Sequence, residues 1–256
     1  MDQIQKIPFV GVEHGPNLSH LFEKKVFTDG ENTLPYRIYV PKDLSPEKRY
    51  PLVLFFHGAG ERGNDNERQL LHVTGQFFKD PASPLYDCIV IAPQCPTESM
   101  WVTLPGWVNV HYSTDETPES LPLSLAFKLI EEAKVTYPID PDRVYSTGLS
   151  MGGYATWDLL VRHTDTFAAA IPVCGGADYR YAQRLKDVPI YTFHGDADNV
   201  VPPAGTERMV DELLKLGNEK VRCIYYVGGG HGVWENAFST EGLFDWLLSH
   251  RRSDRA

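Results

Sequence analysis

The stretch V-Y-S-T-G-L-S-M-G-G-Y at 144–154 constrains this chain more than any other, because it reads as a buried strand, a sharp turn and the opening of a helix. Gly148, Ser150 and Gly152 spell G-x-S-x-G, a pattern that forces a serine into a strained turn with its hydroxyl projecting from the end of a sheet. The backbone folds tightly on both sides of such a serine, so the flanking positions must be small. Gly148, Gly152 and Gly153 meet that demand. A short glycine pattern also arises by chance, with the serine acting only as a helix cap. The chemical reading therefore depends on partner residues elsewhere in the chain.

Strands and helices alternate around this turn. Nearly continuous apolar runs at 50–56, 87–94, 167–176, 189–195 and 221–227 predict strands covered on both faces. Helical spacing predicts helices over 67–78, 121–137, 151–163, 203–216 and 234–248. Alternating residues at 21–40 around T-D-G-E-N predict an antiparallel hairpin supplying the edge strands. Residues 95–118, interrupted by Pro96, Pro105, Gly106 and Pro118, read as a long ordered loop. The expected class is α/β, a mostly parallel central sheet with helices on both faces. No linker divides the chain, so a single domain over 1–256 is expected, with 1–33 as an amino-terminal extension and edge strand. The connection between 174 and 189 is too short for a large cap domain.

A serine is a poor nucleophile unless a base lies within hydrogen-bond reach and an acid orients that base. In a parallel sheet such groups gather beyond the carboxyl ends of the strands. The strand P-I-Y-T-F runs into His194-Gly195-Asp196-Ala197-Asp198, and V-R-C-I-Y-Y-V runs into Gly228-Gly229-Gly230-His231-Gly232. His231 is the candidate base. Asp196 and Asp198 compete for the acid; Asp198 is favoured because it lies further into the loop, whereas Asp196 suits a hydrogen bond to loop backbone. An oxyanion hole needs two backbone N–H groups, expected from Met151 and from Ala59 in His57-Gly58-Ala59-Gly60. Gln94, Trp101, Trp107 and Trp234 are candidate walls of the substrate pocket, with Trp157 and Val200 as further candidates to line it.

Other chemistries fit less well. Gly58, Gly60 and Gly63 form G-x-G-x-x-G after a strand, but Glu61 would set a carboxylate against a pyrophosphate, so no dinucleotide cofactor is expected. D-A-D-N at 196–199 lacks the glycine and glutamate of a calcium loop, and Cys88, Cys95, Cys174 and Cys223 show no C-x-x-C spacing. No metal is expected, and a Cys88–Cys95 pair stays open. A net charge of -10 argues against nucleic acid as a partner. No apolar run approaches the roughly 20 residues that span a bilayer, and the first residues lack the regions of a signal peptide, so a cytoplasmic location is slightly favoured, with a secreted one expected if a leader has been removed.

Taken together, H-G-A-G-E-R-G, A-P-Q-C, G-L-S-M-G-G, H-G-D-A-D-N-V-V-P and G-G-H-G resemble the α/β-hydrolase superfamily over nearly all of the chain after about residue 34. Within it the sequence looks most like compact bacterial carboxylesterases. These are related to dienelactone hydrolases, phospholipase/carboxylesterases and feruloyl or polyhydroxybutyrate-depolymerase-like esterases. The resemblance implies Ser150 as nucleophile, Asp198 as acid and His231 as base, acting without a cofactor. The resemblance leaves the acyl group open. Aromatic walls suit a short-chain or aromatic acyl group, and a site without a large cap suits small or polymer-attached esters. The rival is a serine peptidase of the prolyl-oligopeptidase type, which shares the elbow and the chain order. Such enzymes normally carry a large propeller domain, and nothing in this sequence builds one.

Overall fold

The computed structural model describes residues 2–106 and 113–255. Nine strands form one sheet in the order β1-β9-β8-β7-β6-β4-β5-β3-β2. They are β1 (Ile4–Pro8), β2 (Glu23–Asp29), β3 (Asn32–Tyr39), β4 (Tyr50–Phe56), β5 (Ile89–Pro93), β6 (Ile139–Leu149), β7 (Ala169–Val173), β8 (Ile190–Gly195) and β9 (Val221–Val227). The hairpin β2–β3 and its junction with β5 are antiparallel, and every other pairing is parallel.

The central strand β4 is buried along its whole length, which is what its unbroken apolar run requires. Its side chains divide by the period of two. Leu52, Leu54 and Phe56 enter a core shared with α2 (Leu121–Thr136), α3 (Met151–Arg162) and α4 (Ala204–Lys215). Val53 and Phe55 point to the other face, packed by α1 (Thr74–Phe78), α5 (Trp234–Phe238) and α6 (Leu243–Ser249). Parallel pairing brings the ends of β4, β6, β8 and β9 to the same edge of the sheet, and that is where the candidate residues lie.

Three expectations change. The amino-terminal segment is more than an extension next to the hairpin: β1 pairs in parallel with β9 at the opposite edge, from Ile4 against Cys223 to Pro8 against Val227. Four of its five residues are exposed, so hydrophobic patterning carried no sign of it. The helix expected over 67–78 is a 3-10 turn, Arg68–Leu70, followed by the short α1. Val73, Thr74 and Gly75 are weak helix formers, and Gly75 lies against the backbone of Gly15, where a Cβ on either glycine would come within 2.6 Å of the other. The helix expected over 234–248 breaks into α5 and α6, because Gly242 adopts a left-handed φ of 70°. All four cysteines are buried free thiols, so Cys88 and Cys95 are not bridged. Among the described residues, no helix is long and apolar enough to cross a membrane.

The crossing of β6 and α3 over β4 leaves no room for a side chain at Gly152: a Cβ there would run into the carbonyl oxygen of Phe56. Because the obstacle is backbone, relaxation is limited. Gly152→Ala is expected to lower stability by at least ~2 kcal/mol, read from urea denaturation at neutral pH. An unchanged midpoint and slope would mean that the elbow can open without cost.

Candidate active site

Ser150 sits between β6 and α3 with φ 54° and ψ −117°, a conformation that costs a non-glycine residue roughly 1–3 kcal/mol. Two backbone bonds hold it there: Ser150 N donates to Val173 O at 2.9 Å, and Tyr154 N donates to Ser150 O at 3.1 Å. The strained turn leaves the side chain facing a cavity of about 300 Å3, whose lining includes Ala59, Glu61, Leu149, Val200, His231 and Trp234.

The structure brings together the three residues singled out from post-strand loops. Ser150 Oγ lies 2.8 Å from His231 Nε2, and His231 Nδ1 lies 2.7 Å from Asp198 Oδ2. Burial alone would raise the Asp198 carboxyl. Hydrogen bonds from His194 and His231 and from the amides of Val201 and Val200 outweigh that and hold it far below the ordinary aspartate range. An ionised Asp198 can only accept, so His231 carries its proton on Nδ1. Its Nε2 lone pair then faces the Ser150 hydroxyl. Asp196 instead stitches the two loops together, its Oδ1 accepting from Gly228 N at 2.7 Å.

The Ala59 loop is set by residues that lie beneath it. Gln94 and Trp101, expected as pocket walls, are both fully buried. Gln94 Oε1 accepts from Asn66 N at 2.7 Å, while its Nε2 donates to Glu61 O at 3.2 Å and to Asp65 Oδ1 at 2.8 Å. Trp101 packs edge-on against Phe56 and His57 and donates from Nε1 to His57 O at 3.2 Å. Both residues lie beneath the loop and are not part of the lining of the Ser150 cavity. Trp157 is likewise buried. Of the proposed wall residues, Val200 and Trp234 line the cavity, and Trp107 lies outside the described residues. Ala59 opens a 3-10 turn, and Met151 opens α3, where first-turn amides have no partner within the helix. The glycines of the G-x-G-x-x-G pattern lead only into 3-10 turns as far as Arg68–Leu70, without the helix that a dinucleotide site requires.

Two buried histidines escaped the sequence reading. Each occupies a strand–His–Gly junction, His57-Gly58 after β4 and His194-Gly195 at the end of β8, and that repeated dipeptide was the available signal. His194 Nε2 lies 2.8 Å from Val201 O and 3.3 Å from Asp198 Oδ2, and both neighbours only accept, so this nitrogen carries a proton. His194 Nδ1 lies 2.9 Å from Thr206 Oγ1, whose hydroxyl donates to Gly175 O at 2.8 Å. His57 Nε2 accepts from Cys95 N at 2.9 Å, which leaves Nδ1 to donate to Gly58 O at 2.6 Å.

His57 is therefore held neutral, and burial pushes its pKa down from 6.5 to about 4. In the unfolded chain its pKa returns to the ordinary value, so the unfolded state takes up a proton first as pH falls. The stability that depends on neutral His57 is present above about pH 6.5 and is lost down to about pH 4, by up to ~3 kcal/mol. Urea denaturation between pH 7 and pH 4 should show this loss, and His57→Gln should flatten the profile by a comparable amount. Equal slopes for the two proteins would refute it.

Comparison with known proteins follows the same lines. A family model described as phospholipase/carboxylesterase matches residues 44–240. The bifunctional acetylxylan esterase/xylanase XynS20E of Neocallimastix patriciarum is 24% identical over 186 residues, covering 73% of this chain and 24% of that protein. The poly(3-hydroxyoctanoate) depolymerase of Pseudomonas fluorescens is 28% identical over 235 residues, covering 86% of this chain and 81% of that one. The crystal structure of a thermostable esterase matches with a TM-score of 0.82 at 38% identity, over 91% of this chain and 64% of that one. The chain thus spans less than two thirds of the length of the first and third of these proteins. With the family model covering most of its length and the nine-stranded sheet matching that of the esterase, the chain belongs to the phospholipase/carboxylesterase family of the α/β-hydrolase fold.

Proposed function

We propose that the chain is a serine carboxylesterase that hydrolyses short-chain or aromatic carboxylic esters, carbohydrate-linked ones included, through an acyl-enzyme on Ser150. The observation that carries this reading is the continuous relay from Ser150 Oγ to His231 Nε2 at 2.8 Å and from His231 Nδ1 to Asp198 Oδ2 at 2.7 Å. His231 takes the serine proton as Ser150 Oγ attacks the ester carbonyl, and Asp198 stabilises the imidazolium that forms. The amides of Met151 and Ala59 receive the negative charge on the carbonyl oxygen. Collapse of the tetrahedral adduct expels the alcohol, which takes the proton from His231. Water then repeats the attack on the acyl-enzyme, and the acid is released.

A cavity of about 300 Å3 is at the small end for ligand sites and supports a short acyl group or a single planar ring against Trp234. The connection from β7 to β8 contains only the 3-10 turn Tyr179–Leu185, which supports access for esters attached to a large alcohol. A relative named for acetylxylan supports a short acyl group on a carbohydrate, and one named for a poly(3-hydroxyoctanoate) supports access for polymer-attached esters.

The test is a matched series of acetyl, butyryl, octanoyl and feruloyl esters, measured as kcat/KM for the wild type and for Ser150→Ala. Acetyl, butyryl or feruloyl esters should exceed octanoyl by roughly tenfold or more, and Ser150→Ala should lose at least ~1,000-fold in kcat with its fold intact. A folded Ser150→Ala protein with wild-type turnover would sink the assignment, and a preference for octanoyl would overturn the substrate class.

A further inference from the structure

Away from Ser150, two imidazoles converge on one carboxylate oxygen. His14 Nδ1 lies 2.7 Å from Glu235 Oε1, and His72 Nδ1 lies 3.1 Å from the same atom. The three residues come from the arm after β1, from the turn before α1 and from α5. The arm is built into place. Gly15 and Gly75 meet backbone to backbone, Leu18 N donates to Thr74 Oγ1 at 3.2 Å, and Gln76 Nε2 donates to Glu13 O at 3.0 Å. Glu235 is fixed too, its Oε2 accepting from Gln76 Nε2 at 2.7 Å, while Gln76 Oε1 accepts from Lys79 Nζ and from Ser239 Oγ.

As a set of hydrogen bonds alone, the cluster contains a conflict at His72. Trp234 Nε1 can only donate, and it points at His72 Nδ1 over 3.2 Å. That contact requires the Nδ1 lone pair, which then faces Glu235 Oε1, an atom that only accepts. Moving the proton to Nδ1 satisfies Glu235 but sets N–H against N–H at Trp234. One nitrogen cannot serve both neighbours. A cation between Nδ1 and Oε1 removes the repulsion between their lone pairs.

We propose that His14, His72 and Glu235 form a binding site for a divalent transition-metal ion of the zinc type, which pins the amino-terminal arm to the wall of the Ser150 cavity. Their candidate donor atoms all lie within 4.8 Å of one another. Zinc bonds to imidazole nitrogen and carboxylate oxygen run to about 2.0–2.2 Å, so adjustments within reach of side-chain rotation close the site, with water completing the coordination. Two imidazoles with one carboxylate suit zinc, cobalt, nickel or copper better than calcium or magnesium. Gln76, bonded to the second carboxylate oxygen, is the kind of outer partner that orients a metal ligand. Metal binding takes the His72 lone pair from Trp234, so the indole that lines the cavity loses its acceptor and shifts. None of this depends on the reaction proposed for Ser150.

The test is calorimetric titration of EDTA-treated, dialysed protein with zinc chloride in a non-coordinating buffer. The wild type is expected to bind one equivalent with a Kd of about 10 µM or tighter, with a rise in Tm and a change in tryptophan fluorescence. His14 is exposed, so His14→Ala should fold normally and keep metal-free ester hydrolysis, yet weaken zinc binding at least ~10-fold; Glu235→Gln should abolish it. Uptake of less than roughly a fifth of an equivalent by folded wild type would overturn the site, and so would unchanged affinity in His14→Ala.

Discussion

One buried carboxylate organises the edge of the sheet on which the candidate chemistry depends. Asp198 is almost wholly removed from water, and an isolated charge in that position would be very unfavourable. Two backbone amides on Oδ1 and two imidazoles around Oδ2 compensate it, and each ties the carboxylate to a different piece of chain. Val200 and Val201 close the loop after β8 on itself. His194 links that loop through Thr206 to α4 and to Gly175 beyond β7. His231 carries the connection on to the serine. The ionisation of Asp198 and the shape of the loops are thus one property: the charge holds the loops, and the loops keep the charge.

The Ala59 loop follows the opposite logic. Its anchors are a neutral histidine, an amide side chain and an indole, all uncharged and all buried. Arg62 adds one cationic contact, donating from Nε to Ala59 O at 3.0 Å. The serine turn is held still more simply, by backbone packing at Gly148, Gly152 and Gly153, where no side chain has space. Three loops that meet at one cavity are therefore stabilised by three different means: ion compensation, neutral hydrogen bonding and steric exclusion.

Much of this was legible in the sequence because it repeats the period of the sheet. The apolar runs of β4, β5, β7, β8 and β9 mark strands buried on both faces, and glycine and chain order mark the turns that hold Ser150, Asp198 and His231. What was not legible depends on contacts between distant residues. The strand β1 has no apolar face, and only its pairing with β9 makes it a strand. Gln94 and Trp101 have the size and chemistry of pocket residues, yet whether an aromatic lies under a loop or inside a cavity is decided by which side of the loop it approaches. The short α1 shows the same limit, since the spacing at 67–78 favours a helix while the approach of Gly15 to Gly75 allows only one turn and a half of it.

The position of β1 bears on how the molecule is assembled in time. Ile4 pairs with Cys223, so β1 can find its partner only after the segment that forms β9 has been made. Until then β9 is missing and β8 is the last strand of a growing sheet, with its outer hydrogen-bonding groups unpaired. Contacts of such long sequence separation form late and slowly. The β1 margin of the sheet is therefore expected to close late in folding.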